Sequence, residues 1–278
     1  MTRGDVPAIG PVSAPALHCM TLNVRRPVPH LRRGHPDAWP RRAPAVAALV
    51  RSESPHLLAV QEAVPEQVQH LRTAMGSRWR AVVAGRGRSG GGEGVGFLVD
   101  EDRLRVGETS TIALARHRDR VGTRDWGALF PRIAVLAELE DRVTGVGFLA
   151  VATHVDPFSP LAQVRSARLL GEVVHDAGLP AVAMADWNAG AGSASARVLT
   201  AAGLLDTWDL VPPADRPPTL GTYAAYRTPR PDGERLDRIL VRHDGVTVDR
   251  VAVSVRRPAG VWPSDHLPVH AVIRWEAP

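Results

Sequence analysis

Several short apolar runs in this sequence end or begin on residues that could do chemistry. Asn23 follows Met20–Leu22, Glu62 follows Leu57–Gln61, His154 follows Phe148–Thr153, and Asp186 and Asn188 lie just beyond Ala181–Ala185. Asp237 opens the run Arg238–Val241, and Asp265 with His266 precedes Leu267–Trp275. Proteins that alternate strands and helices bind their ligands beyond strand ends, so polar residues there are candidates. Any one of them alone would read as a turn former or a cap. Together they offer carboxylates, amides and imidazoles and almost no thiol. That is the donor set of a hard, oxygen-preferring cation such as Mg²⁺ or Mn²⁺ and not of zinc. A zinc hydrolase built on His154 and Asp156 would lack the clustered histidine ligands such sites use.

Composition narrows the chemistry further. All 34 basic residues of the 278 are arginine and none is lysine, which excludes Schiff-base catalysis, a lysine general base and a P-loop lysine. Against 29 acidic residues they leave a formal charge of +5. A basic surface draws polyanions, but a chain rich in Arg, Ala and Gly and empty of lysine is also what a GC-rich genome encodes. Gly85-x-Gly87-x-x-Gly90 matches a dinucleotide fingerprint only formally: the segment after it, Gly94–Asp100, reads as a strand where the fingerprint needs a helix N-terminus. The spacing predicts a flexible hairpin loop instead. The single cysteine, Cys19, allows no internal disulfide, and its apolar neighbours mark it as a small core residue.

The elements that must position these residues show as periodicity. Strands are predicted at Leu17–Val24, Leu57–Gln61, Trp79–Ala84, Gly94–Val99, Ile133–Glu140 and Gly147–Thr153, each short, apolar and bounded by turn formers or charges. Four more follow at Ala181–Ala185, Leu236–Val241, Val246–Val253 and Pro268–Trp275. Val46, Leu49 and Val50 predict a helix starting near Pro44, a second covers Glu66–Met75, and Leu161, Val164, Leu170, Val173 and Val174 outline a third, closed by Gly178 and Pro180. The pattern is that of an α/β protein with more strands than helices, with a flexible segment over 1–15 and one domain over 16–278. No run nears the ~18 uninterrupted apolar residues of a membrane span and no leader-like apolar stretch stands near Met1, so a cytoplasmic protein is expected.

The segments TLNV, AVQE, THVD, ADWN, RLDRILV and SDHLPV, in this order, resemble the endonuclease/exonuclease/phosphatase superfamily of metal-dependent phosphoesterases. The likeness runs from Leu17 to Trp275; Trp39-x-Arg41-Arg42 and Pro131-Arg132-Ile133 agree with it. It implies a four-layer α/β-β/α sandwich, with two mixed, mainly antiparallel sheets flanked by helices and the active site at one end. It also implies roles. Glu62 is the principal metal carboxylate, with Asn23 and Asp265 near it, and Asp186 and Asn188 orient water or hold a second ion. His266 is the general base, Asp237 fixes its tautomer, and His154 binds a phosphate oxygen or assists the leaving group. Arg132, Glu93 and Tyr226 are candidate substrate contacts, Glu93 as the partner of His154.

The sequence departs from the family pattern where substrate is read. His56 stands for an Asp, Arg168 for a Gln, Arg238 for an aromatic residue, and Ala224-Ala225 in Gly221–Arg227 for a His-Gly pair. The reading is therefore a Mg²⁺- or Mn²⁺-dependent hydrolase of an anionic phosphoester, foremost a phosphodiesterase or nuclease. Phosphomonoesterase or sphingomyelinase-type action remains open, as does a non-catalytic arginine-rich module that binds nucleic acid.

Overall fold

The structure is a computed structural model and describes residues 6–31, 34–242 and 245–275. Along the chain run β1 (Leu17–Asn23), α1 (Trp39–Glu53), β2 (Leu57–Ala63), α2 (Pro65–Met75), β3 (Trp79–Gly85), β4 (Gly94–Asp100) and β5 (Leu104–Ala113). Next come β6 (Ile133–Asp141), β7 (Gly147–His154), α3 (Pro160–Ala177), β8 (Ala181–Asp186), α4 (Ala194–Ala201), β9 (Leu204–Asp206) and α5 (Thr207–Leu210). The strands β10 (Asp237–Arg242), β11 (Val246–Val253) and β12 (Val269–Trp275) follow. They form two six-stranded sheets, ordered β11-β12-β1-β2-β4-β3 and β5-β6-β7-β8-β10-β9. Each sheet is antiparallel apart from one parallel pair, β1 with β2 and β7 with β8. A parallel pair needs a crossover, which α1 and α3 supply.

Successive residues of a strand face opposite ways, and here both faces are covered. Leu17 and Cys19 of β1, Phe97 of β4, Met184 of β8 and Ile239 of β10 meet in the layer between the sheets. On the outer face of the first sheet, Met20 and Leu22 meet Val46, Leu49 and Val50 of α1; on that of the second, Val151 and Ala183 meet Leu170 and Val174 of α3. This is the four-layer sandwich of two mixed, mainly antiparallel sheets that the family resemblance implies. Cys19 is fully buried and burial pushes its thiol up to about 12, as a core residue requires.

Two differences from the sequence reading have local causes. α1 begins at Trp39 rather than near Pro44, with Pro40 in its first turn and Pro44 inside it; the helix forgoes the one i→i−4 bond that Pro44 cannot donate. β5 has no apolar run because it is an edge strand whose Glu108, Thr109 and Ser110 face water. The Gly-rich segment does form a hairpin loop between β3 and β4, closed by Arg86 N–H to Glu93 O at 3.0 Å and Gly87 N–H to Gly91 O at 2.9 Å. No helix among the described residues is long and apolar enough to cross a membrane.

Candidate active site

Strand alternation and register send the polar strand ends to one rim of the inter-sheet layer. His154 of β7 and Asp237 of β10 are both the register partners of Asp186 on β8, so three adjacent strands end on three functional side chains. The other sheet brings Asn23 at the end of β1 and Glu62 on β2. Glu62 lies in a bulge: β2–β4 pairing slips between Val60 and Ala63, and Glu62 adopts a left-handed backbone at φ 57°. Such a bulge re-aims a side chain at a sheet rim. Asp265 and His266 arrive on a loop tied to the Gly221–Arg227 segment, where Leu267 N–H donates to Thr222 O and Thr222 Oγ1 accepts from Asp237 N–H.

The carboxylates and imidazoles are in direct contact. His266 Nδ1–H donates to Asp237 Oδ2 at 2.8 Å, and its Nε2 lies 3.7 Å from Asp186 Oδ2. His154 Nε2 is 3.4 Å from the same Asp186 oxygen, which also accepts from Asn23 Nδ2 at 3.1 Å. Asn23 donates to Glu62 Oε1 as well, at 3.1 Å, while its Oδ1 accepts Arg25 N–H. The amide thus presents its donors to the two carboxylates. Asn188 N–H donates to Asp186 Oδ1 at 3.0 Å and Asn188 Nδ2 to Val155 O at 2.9 Å, on a left-handed backbone at φ 49°.

Charge in this buried cluster is unevenly settled. Burial and then the neighbouring Asp237 raise Asp186 to about 6. Burial opposes an imidazolium at 266, but Asp237 and Asp186 overcome it and raise His266 to about 10. His154 is held neutral by burial and by Arg132, His266 and Arg86 around it. Burial also raises Asp265, against His266 and Arg25.

A cavity of about 410 Å³ opens onto these residues. Arg26 and Arg86 line it and both pair with Glu93, at 2.8 and 2.9 Å. Glu93 is therefore engaged by arginines and not by His154, whose carboxylate neighbour is Asp186. Arg132 is 6% exposed and its Nε has no hydrogen-bond partner; its nearest carboxylate, Asp156, is 3.9 Å away. Phe130, Phe158 and Tyr223 complete the wall, with Arg86 over the Phe130 ring and Tyr223 5.1 Å from the His266 ring. Tyr226 is not on this wall; its hydroxyl donates to Asp37.

Arg25 and Tyr223, outside the expected set, belong to the site together with Arg42 of the Trp39-x-Arg41-Arg42 segment. Arg25 places its guanidinium between Asp37, Glu62 and Asp265, at 3.4, 3.7 and 3.6 Å. Arg42, fully buried, donates to the carbonyls of Val24, Arg25, Asp37 and Pro263 and so clamps the loops carrying Arg25 and Asp265. Tyr223 takes the cavity side expected of Tyr226. The signal for Arg25 was its place two residues beyond Asn23; nothing in the sequence marked Arg42 as buried.

The residues fit a hard divalent cation. Four carboxylates (Glu62, Asp186, Asp237 and Asp265) converge, and Asp237 Oδ1 is buried without a hydrogen bond. Asp186, Asp237 and His266 present ligand atoms within 4.8 Å of one another. Asp237 and His266 are also bonded to each other, and Glu62 and Asp265 offer further carboxylate oxygens on the cavity wall.

A two-sheet sandwich with carboxylates and histidines gathered at one end of the inter-sheet layer defines a class of phosphoester hydrolases. The chain belongs to the endonuclease/exonuclease/phosphatase family, whose sequence model matches residues 20–266. Its fold is similar to an endonuclease/exonuclease/phosphatase from Bacteroides vulgatus, with a TM-score of 0.85 and 26% identity over 94% of this chain and 99% of that one. It is also similar to a mannosyl-6-phosphatase from Bacteroides thetaiotaomicron, with a TM-score of 0.80 and 24% identity over 93% and 100%. D. rerio TDP2 complexed with a single-strand DNA product has a TM-score of 0.71 and 17% identity over 94% and 99%. The last two likenesses show the shared fold alone. No curated protein matches the chain.

Proposed function

We propose that the chain hydrolyses phosphodiesters with the aid of Mg²⁺ or Mn²⁺, nucleic acid being the foremost substrate class. The observation that carries this reading is the contiguous polar series from His154 through Asp186 and Asn23 to Glu62, flanked by His266–Asp237, on the wall of an arginine-lined cavity. Glu62 and Asp265 are the proposed metal carboxylates, with Asn23 positioning Glu62 and Asp186 through its amide. The metal, when bound, offsets phosphate charge and makes the attacking water more acidic. Asp186 and Asn188 orient that water.

His266 accepts the water proton at Nε2, because Asp237 holds the other ring proton at Nδ1. Asp237 and Asp186 raise the proton affinity of its ring to a pKa of about 10, and a cation among these carboxylates would lower it. Neutral His154 donates to a phosphate oxygen, and Arg132, whose buried Nε has no hydrogen bond, adds positive charge there. Phe130 and Tyr223 offer flat surfaces to the groups esterified on the phosphate.

The test is a hydrolysis panel with Mg²⁺, Mn²⁺ and EDTA arms over plasmid DNA, RNA, bis-p-nitrophenyl phosphate, inositol phosphates and sphingomyelin. Diester cleavage abolished by EDTA is expected, and Glu62→Ala or His266→Ala should each lower turnover by ~10²–10⁴ while leaving the fold intact. Absence of hydrolysis across the panel, or wild-type turnover in either variant, overturns the reading. A phosphomonoesterase is the second reading, favoured by the unpaired Nε of Arg132, which a dianionic phosphate would satisfy; preference for inositol phosphates over every diester would select it.

A further inference from the structure

Arg25 is held more firmly than a surface arginine needs to be. Its backbone is left-handed at φ 53°, a conformation that costs a non-glycine residue free energy and persists only where the surroundings impose it. Here they do: Arg25 N–H donates to Asn23 Oδ1 at 3.0 Å, and its carbonyl accepts from Arg42 Nη2 at 2.8 Å and Gln67 Nε2 at 2.9 Å. Arg42 is fully buried, and Gln67 also accepts Val64 N–H to cap α2. The clamp leaves the side chain directed among carboxylates.

That side chain faces three of them and bonds only one. Nε and Nη2 donate to Asp37 at 3.4 Å, and Asp37 is itself fixed by the Tyr226 hydroxyl and lies 3.7 Å from Arg42. Glu62 at 3.7 Å and Asp265 at 3.6 Å are too far for hydrogen bonds but close enough for strong ionic attraction. The guanidinium is thus parked on Asp37 and lends its charge to the two carboxylates assigned to the metal under the proposed function, the reading on which this inference rests.

We infer that Arg25 is a tethered cation that competes with the divalent metal for the Glu62–Asp265 pair, stabilising the pair when metal is absent and setting how much metal the enzyme needs. A divalent ion ligating those oxygens would sit within about 5 Å of a fixed positive charge, and even in a water-like dielectric that repulsion weakens binding roughly tenfold. Arg25 is a positioning residue in this account, and its signature is a gain of metal affinity on removal, which a merely structural arginine would not give.

The experiment is titration of the purified full chain with Mn²⁺ by calorimetry, paired with thermal unfolding in EDTA and in Mn²⁺. Arg25→Gln is expected to bind Mn²⁺ about tenfold tighter than wild type and to gain more thermal stability from Mn²⁺, while melting lower in EDTA. Arg26→Gln removes an equal charge from the arginine that pairs with Glu93, and should change the affinity less than threefold. If glutamine disturbs the loop, Arg25→Gly, which suits the left-handed backbone, reads the same quantity. Unchanged or weaker Mn²⁺ binding in a folded Arg25 variant overturns the inference, as does an equal gain in Arg26→Gln. Glu62→Gln separates the two levels: its loss of Mn²⁺ binding with no gain in Arg25→Gln sinks this inference alone, whereas wild-type binding in Glu62→Gln sinks the metal assignment beneath it.

Discussion

His266 has both the position and the proton affinity of a base, and Asp237 is the main reason for both. A fully buried carboxylate 2.8 Å from Nδ1 fixes which ring nitrogen faces the cavity and raises the affinity of the ring for a proton. Asp237→Asn keeps the shape but presents a neutral amide to the ring. We expect turnover to fall by ~10²–10⁴ with little change in thermal midpoint, and an Asn variant as active as wild type would remove Asp237 from the machinery. At this scale the sequence was a good guide, because types and strand-end placement are both written in it. It was a poor guide to pairing: Glu93 faces Arg26 and Arg86 instead of His154, and Tyr226 bonds Asp37 while Tyr223 takes the cavity wall. Partner choice depends on ångström distances between segments remote in sequence.

Two element-level devices build the site. The β2 bulge turns Glu62 to the rim, and Arg42 near the start of α1 staples the chain after β1 to the loop carrying Asp265. Truncating a buried arginine bonded to four carbonyls strips its donors from Val24, Asp37 and Pro263, while Arg25 keeps that of Gln67, so Arg42→Met should destabilise by about 3–5 kcal/mol. That lowers the thermal midpoint by on the order of 10 °C. A smaller shift than that of an exposed Arg51→Met control would show that the staple carries no stability. Ten of the twelve strands were legible as short apolar runs bounded by turn formers or charges, and three long helices by their 3.6 periodicity. β5, whose central stretch is polar, and the short α4, β9 and α5 were not: an edge strand needs no apolar run, helices of eight and four residues make barely two turns and one, and β9 has only three residues.

Across the whole molecule, the outer face of the first sheet buries titratable groups far from the active rim. His18 and His270 meet across β1 and β12, Nε2 to Nδ1 at 3.0 Å, and His18 N–H donates to His56 Nδ1 at 3.1 Å. Burial lowers His270 to about 3 and His56 to about 4, and pushes His18 well below its ordinary value. Because their folded values lie under the unfolded value of ~6.5, the unfolded chain binds more protons in that window. Their contribution to stability is complete above pH 6.5 and is lost as the pH falls toward 4. The thermal midpoint should therefore drop between pH 7 and pH 4.5, and less steeply in His18→Leu/His270→Leu. Equal slopes in the two proteins would exclude the pair as the source.

By itself the sequence determined the family, the α/β class, the strand and helix periods, and which residue types stand at strand ends, since each is a local property of residue order. The six family segments carried the site residues in order from Asn23 to His266, and nearly all of them meet. Only the tertiary structure decided what joins them. It set β8 between β7 and β10, so that one carboxylate, Asp186, lies beside two histidines. It also buried Arg42, and aimed Arg25 at the carboxylates of the proposed metal site. Such contacts join loops far apart in the chain, and their geometry follows from sheet register and layer packing rather than from neighbouring residues.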